Sequence, residues 1–328
     1  MRQDWNGKPY YSLDYYCKET FGEKVYKIAL NGGFTCPNRD GTIGYGGCIF
    51  CSHGGSGEFA TDIHKASTDS TPHTPVLPAN INEEIRKGLS LFHGKKVGDK
   101  FIAYFQAYTG TYGDPKWLYS LYSTALSHEK IIGISIATRP DCLGSEVLEI
   151  LKKLQQKFPQ KFIWIELGLQ TIHEDTAAYI RRGYALPVFE TAMEQLKRLD
   201  IPVIVHLILG LPGEDRDHIL KTIDYVSHAV PFGVKLQLLH ILKDTDLALE
   251  YEKGLVPVYT KDEYLDILLS CMTHLNPHIV IHRITGDGPK DLLIAPGWSL
   301  NKRDVLNSFH KLCRETGAFQ GKDFKNDL

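Results

Sequence analysis

The sequence predicts an α/β fold, a partial (βα)6 TIM-type barrel with a C-terminal extension. Three observations lead there. Six short apolar segments rich in β-branched and aromatic residues recur along the chain, segments with helical spacing lie between them, and the apolar runs are nearly continuous rather than alternating. Strands buried on both faces read this way, so the sheet is expected to be parallel with its helices outside. Six units suit an open barrel better than a closed eight-stranded one, with the chemistry at the carboxyl ends of the strands.

The strands are expected at Val25–Leu30, Phe101–Gln106, Ile131–Ala137, Ile163–Leu169, Val203–Leu209 and Val234–Leu239. Helical spacing is carried by Ile81, Ile85, Leu89 and Phe92, and again by Val147, Leu148, Leu151 and Leu154. The stretch Gly54–Asn80 is rich in Gly, Ser, Thr, Pro and His, and reads as a mobile loop. After Leu239 the rhythm loosens, with helices expected near Lys261–Leu275 and Lys302–Glu315 and a short apolar run at His278–Ile281. The expected organisation is an N-terminal segment over residues 1–24 and a barrel core over 25–240 that includes a loop at 31–57. An extension over 241–328 packs on the barrel.

The 328 residues, 43% hydrophobic and 23% charged, have the composition of an ordinary globular chain. No apolar run spans a bilayer, and Met1–Pro9 lacks the layout of a secretory signal, so a cytoplasmic protein is expected. A formal net charge of −2 supplies no global attraction to nucleic acid, so any RNA contact requires a local basic patch. Seven cysteines, three bunched and four scattered, do not form a disulfide framework and point to metal.

The bunch is Cys36-Pro-Asn-Arg-Asp-Gly-Thr-Ile-Gly-Tyr-Gly-Gly-Cys48-Ile-Phe-Cys51. Its glycines let a loop wrap closely enough for thiolates to converge on a [4Fe–4S] cube. Three local thiolates leave one iron open for a ligand. A structural zinc site completed by Cys17 or His53 is the competing reading, because Cys-x-x-Cys serves both metals. Spacing alone leaves both open.

The loop, with Phe50 directly before the last cysteine, resembles that of radical S-adenosylmethionine (radical SAM) enzymes. The eleven-residue gap between Cys36 and Cys48 departs from their common Cys-x3-Cys-x2-Cys spacing and is similar to the YtqA/YhcC branch, related to the elongator-type and coproporphyrinogen-dehydrogenase-type enzymes. The resemblance runs over most of the chain. It takes in Asp-Gly-Thr (40–42), Tyr-Phe-Gln-Ala-Tyr-Thr (104–109), Thr-Arg-Pro-Asp-Cys-Leu (138–143), Glu-Leu-Gly-Leu-Gln-Thr (166–171), Gly-Leu-Pro (210–212) and His-Arg-Ile-Thr-Gly-Asp-Gly-Pro (282–289).

This resemblance implies a [4Fe–4S] cluster on Cys36, Cys48 and Cys51, with S-adenosyl-L-methionine on the open iron. Phe50 is implied to lie against the adenine, or else to fill the loop's own core. Gln106 stands where relatives receive the methionine amino group, Gln170 where they contact the ribose, and Arg182 where an arginine grips the methionine carboxylate. The alternative for Arg182 is a solvated helix-end charge. Glu166 either faces a functional lumen or caps a strand at the surface. His206 is a further cofactor contact or a satisfied core histidine. Arg139, Cys142, Arg283 and Asp287 are placed to face substrate; Cys142 could donate a hydrogen atom, but reads better as a buried inert thiol.

YtqA-like members resemble MnmL, which converts the 5-carboxymethylaminomethyl group of the wobble uridine of tRNA to 5-aminomethyl. The resemblance therefore implies a tRNA substrate and an electron donor such as flavodoxin or ferredoxin. Tyr108, Tyr112 or Trp298 would stack a splayed base, and Arg139 or Arg283 would pair with the carboxylate. The C-terminal lysines and arginines from Lys302 onward, interleaved with acids, read as a solvated helix. The alternatives are a radical enzyme acting on a small molecule such as a porphyrin, and a non-enzymatic zinc-containing RNA-binding protein.

Overall fold

The computed structural model describes residues 5–60, 78–94, 97–286 and 288–325. Its strands are β1 (Tyr26–Leu30), β2 (Phe101–Phe105), β3 (Ile131–Thr138), β4 (Phe162–Gln170), β5 (Val203–Leu209), β6 (Gly233–Leu238), β7 (Ile241–Leu242), β8 (Val280–Arg283) and β9 (Leu293–Ala295). Seven of them form one sheet in the order β1-β2-β3-β4-β5-β6-β8, every neighbour parallel. β7 and β9 pair separately and antiparallel. The sheet curls into a half-barrel that stays open between its edge strands, β1 and β8.

Six strands were expected and seven are found. The run at His278–Ile281 leads into β8, because the helix Lys261–His274 carries the chain back across the sheet to lie beside β6. That helix opens on a capping box formed by Thr260 and Glu263 and buries Leu265, Leu268, Cys271 and Met272. Most of Gly54–Asn80 lies outside the described residues, as does Asp287.

Helices pack on the outer face of the sheet as the apolar runs require. Ser145–Lys157 buries Ile150, Leu151 and Leu154 against it, each contributing about 1.5–3 kcal/mol. Inside, the period-2 alternation of parallel strands stacks side chains in layers. The lowest layer is apolar: Val25, Ile102, Trp164 and Ile204, closed from below by Cys17 of the helix Leu13–Phe21. That helix is tied to the edge strand, because Ile281 donates its backbone N–H to Tyr11 at 2.7 Å.

Candidate active site

β1 ends in the cysteine loop, which folds on its own backbone. Arg39 and Asp40 donate to the Cys36 carbonyl (2.8 and 3.2 Å), Gly47 to Asn38 (2.9 Å) and Cys51 to Cys48 (2.9 Å). Asn38 in turn gives its amide to the Arg181 carbonyl at 2.7 Å and approaches the Cys48 Sγ at 3.7 Å. Arg39 crosses the loop to the carbonyls of Cys51 (2.7 Å) and Ser52 (2.6 Å). Gly47 has φ +82°, and a Cβ there would sit 2.8 Å from the Arg39 Nε, so glycine is required for both reasons.

Cys36, Cys48 and Cys51 line a cavity of about 180 Å³ at the carboxyl ends of the strands. Burial pushes the Cys48 thiol up to about 12, helped by Cys51 and Cys36 and opposed by Arg139. Burial raises Cys51 as well, against the pull of the Arg39 guanidinium. Such thiols surrender their protons to an arriving cation. Among the described residues, no three His, Cys, Asp or Glu side chains gather as a single metal ion would require. Cys17 lies at the opposite end of the barrel, in the lowest apolar layer.

Below the cavity the barrel carries a polar layer with one side chain from each of six strands. Glu166 is its centre and is fully buried. Lys27 reaches one of its oxygens at 2.5 Å and His206 the other at 2.6 Å, while Ser135 and Lys235 also donate to it. Lys235 donates to the Tyr104 hydroxyl as well, at 2.9 Å. Burial opposes ionisation of Glu166, but Lys235, Lys27 and His206 hold its carboxylate well below the usual range. Burial and the cations Lys27 and Arg283 push Lys235 down against Glu166's pull. His206 falls to about 4 through burial and Lys235, so it is neutral.

The expected site residues separate into three groups. Phe50, Gln106, Arg139, Glu166, Gln170, Arg182, His206 and Arg283 all line the cavity with the three cysteines. Gln170 holds φ +66°, and its Oε1 is buried without a hydrogen-bond partner. Gln106 donates to the Ser56 carbonyl at 2.7 Å. Two arginines are already engaged. Arg182 is buried rather than solvated and gives hydrogen bonds to the carbonyls of Tyr184 (2.9 Å), Leu169 (3.1 Å) and Thr171 (2.6 Å), and to Glu174 (3.4 Å). Arg139 is forked on Asp141 (3.0 and 2.8 Å) and donates to the Arg182 carbonyl at 2.9 Å.

Cys142 is not in the cavity. The 3-10 turn Pro140–Cys142 swings it into a separate groove with Pro37, Thr42 and Tyr112. Of the aromatics offered for base stacking, Tyr108 lines the cavity, with its hydroxyl on the His53 carbonyl. Tyr112 lies in the Cys142 groove, and Trp298 is packed against Tyr264, with its indole N–H on the Tyr259 carbonyl at 3.0 Å. Asp287 lies outside the described residues.

Lys27, Arg39, Tyr104, Lys235 and Gln237 reach the site or its floor without having been singled out. Lys27 and Lys235 carried the same mark as Glu166: one charge in a short apolar strand.

The chain matches the family model described as "Radical SAM superfamily" over residues 35–226 and "Radical_SAM C-terminal domain" over 231–315. It is 40% identical over 318 residues to the YtqA protein of Bacillus subtilis, covering 97% of this chain and 94% of that one. It is 34% identical over 298 residues to YhcC of Escherichia coli K12, covering 91% and 90%. The tRNA uridine(34) acetyltransferase of Methanocaldococcus jannaschii is 24% identical over 171 residues, 51% of this chain and 30% of that protein. Among solved structures, the archaeal Methanocaldococcus infernus Elp3 with an N-terminal deletion superposes with a TM-score of 0.63 at 15% identity. The match covers 90% of this chain and 64% of that one, a likeness of fold.

Enzymes of this superfamily use a [4Fe–4S] cluster and S-adenosylmethionine, which displaces the reading as a non-enzymatic zinc protein. Among the described residues no helix is long and apolar enough to cross a membrane. The chain belongs to the radical SAM superfamily and, within it, to the YtqA/YhcC family.

Proposed function

We propose that this radical SAM enzyme acts on the wobble uridine of tRNA, converting a 5-carboxymethylaminomethyl group to 5-aminomethyl. The observation that carries the reading is one cavity lined by all three thiols together with Gln170 and Arg283. A relative over half of this chain is named for uridine 34 of tRNA, which supports the substrate class.

The residues fit the cofactors. Cys51 and Cys36 feel the Arg39 guanidinium and Cys48 that of Arg139, and the unpartnered Gln170 Oε1 leaves an acceptor for a ligand hydroxyl or amine. Cys36, Cys48 and Cys51 would hold the cluster, whose fourth iron stays free of protein. When bound and reduced by one electron, S-adenosylmethionine would supply hydrogen-atom abstraction, here from the carboxymethyl carbon; loss of one electron to an acceptor and of one proton would then leave a C=N bond that water hydrolyses to the 5-aminomethyl amine and glyoxylate.

Phe50 would lie along the adenine, Gln170 would meet the ribose, and Gln106 would accept from the methionine amino group as a neutral amide. Arg182 fixes the end of β4 through its carbonyl partners and keeps its charge beside the methionine carboxylate. His206, neutral and held on Glu166, orients the wall between them. Arg139 is forked on Asp141, and Arg283, on the cavity wall, would face the substrate carboxylate. An electron donor such as flavodoxin or ferredoxin would supply the electron.

The test is mass analysis of tRNA nucleosides after anaerobic incubation of reconstituted enzyme, reductant and S-adenosylmethionine with tRNA bearing 5-carboxymethylaminomethyluridine. Appearance of 5-aminomethyluridine is expected. Unchanged nucleoside with 5′-deoxyadenosine still formed would overturn the substrate and favour a small-molecule one.

A further inference from the structure

The opening of the half-barrel between β1 and β8 gathers three cationic side chains among apolar walls. A second cavity, of about 270 Å³, lies there, and Lys27, Tyr104, Lys235, His282 and Arg283 line it. It shares Tyr104, Gln106 and Arg283 with the thiol-lined cavity, so the two are neighbours across a thin wall. Phe59 and Leu91, both exposed, stand at its sides.

Two lysine amines share one carboxylate at its floor. Lys27 and Lys235 both meet Glu166, and the third partner of that carboxylate, His206, carries no charge near neutral pH. Lys235 is almost sealed, and the nearby charge of Arg283 works against its own. Burial, with Lys27 and Arg283, pushes Lys235 down to about 7 against Glu166's pull, so an anion bound here would restore the charge that burial disfavours. His282, on the wall of the same cavity, has both ring nitrogens buried without a hydrogen-bond partner. An isolated polar group of this kind is ordinarily satisfied by something that binds. A compact carboxylate suits a pocket whose remaining walls include Ile28 and Phe92.

We propose that this lateral opening receives a substrate carboxylate, held by Lys235 and Lys27 from the floor and by Arg283 at the rim, beside the thiol-lined cavity. The inference deepens the function proposed above and rests on it only for the identity of the substrate. In that setting the carboxymethyl carboxylate is the group recognised, and a substrate lacking it forgoes these charge-assisted contacts.

The experiment is titration calorimetry of anaerobic, cluster-reconstituted enzyme with S-adenosylmethionine present. The probes are N-benzylglycine, benzylamine and benzyl phosphate, which place a carboxylate, no anion or a phosphate on the same ring. N-Benzylglycine is expected to bind at least about tenfold tighter than benzylamine, as a charge-assisted pair requires. In Lys235→Met that preference is expected to shrink to within about twofold. Lys27→Met carries the same expectation should the first variant fail to fold. Equal binding of N-benzylglycine and benzylamine, tighter binding of benzyl phosphate, or an undiminished preference in both variants would each overturn the proposal. A carboxylate preference alongside unchanged tRNA leaves this site standing and removes the tRNA substrate. Converted tRNA without the preference does the reverse.

Discussion

The Glu166 carboxylate meets the Lys235 ammonium on the barrel's inner axis, and neither side chain is more than 4% exposed. They come from β4 and β6, and His206 of the intervening β5 bonds the same oxygen of Glu166 at 2.6 Å. Lys27 completes the set from the far edge. One carboxylate thus ties strands from both sides of the half-barrel under the active site.

Removing that carboxylate leaves two buried ammonium groups without their counter-charge. Glu166→Gln is expected to cost about 3–5 kcal/mol of unfolding free energy, the range for breaking a buried pair from one side. Urea or guanidinium titration of the purified protein checks this. A loss below about 1 kcal/mol would mean that the layer contributes little to stability.

Acid should destabilise the fold through His206. The free imidazole titrates near 6.5 and the folded one near 4, so between these values the unfolded chain binds a proton the folded chain refuses. Stability is therefore present in full above about pH 6.5 and is lost as pH falls toward 4, by on the order of 3 kcal/mol. In His206→Gln the loss over that window is expected to shrink. His240, lowered to about 4 first by burial, retains part of it. Denaturant midpoints measured across pH 4–7 decide, and an unchanged slope in the variant contradicts the assignment.

Gly47→Ala should damage the cysteine loop while sparing the barrel. Alanine at φ +82° is strained, and its Cβ meets the guanidinium that ties Arg39 to Cys51 and Ser52. A cost of about 1–3 kcal/mol confined to the loop is expected. The readouts are iron and sulfide per chain after reconstitution, expected to fall, and far-ultraviolet circular dichroism, expected to stay constant. Full iron content in the variant would show that this loop geometry is not needed to load the cluster.

Arg182→Lys is a conservative change by charge alone. Lysine cannot reproduce the fork that serves the carbonyls of Leu169, Thr171 and Tyr184 at once, so about 2–3 kcal/mol of stability is expected to go. Thermal unfolding of the cluster-free protein measures it without any cofactor. Unchanged stability would mean that the arginine is free to serve the ligand only.

Much of this architecture was legible in the residues, because near-continuous apolar runs belong to strands covered on both faces; Val203–Leu209 is found with the bounds its pattern predicts. β8 was not, since four residues after a loop carry too little periodicity to distinguish a strand from a packed coil. The cysteine loop was legible because its ligand types and glycines are local in sequence. The polar layer was not: Lys27, Tyr104, Ser135, Glu166, His206 and Lys235 are far apart in the chain and meet only once the sheet curls. Glu166 drew notice as a charge in an apolar strand. Lys27 and Lys235 carry the same mark, but a lone lysine there reads as one whose head escapes to solvent. Cys142 follows a strand end closely in sequence, yet the turn at Pro140 rotates its thiol away from the cavity.

The most direct measurement is reductive cleavage of S-adenosylmethionine by the reconstituted, reduced protein, followed as 5′-deoxyadenosine and compared with Cys51→Ala. Cleavage by the parent protein, with loss of both iron and 5′-deoxyadenosine in the variant, is the predicted result. Equal cleavage by the two proteins would contradict the assignment of Cys36, Cys48 and Cys51 as the thiols that hold the cluster.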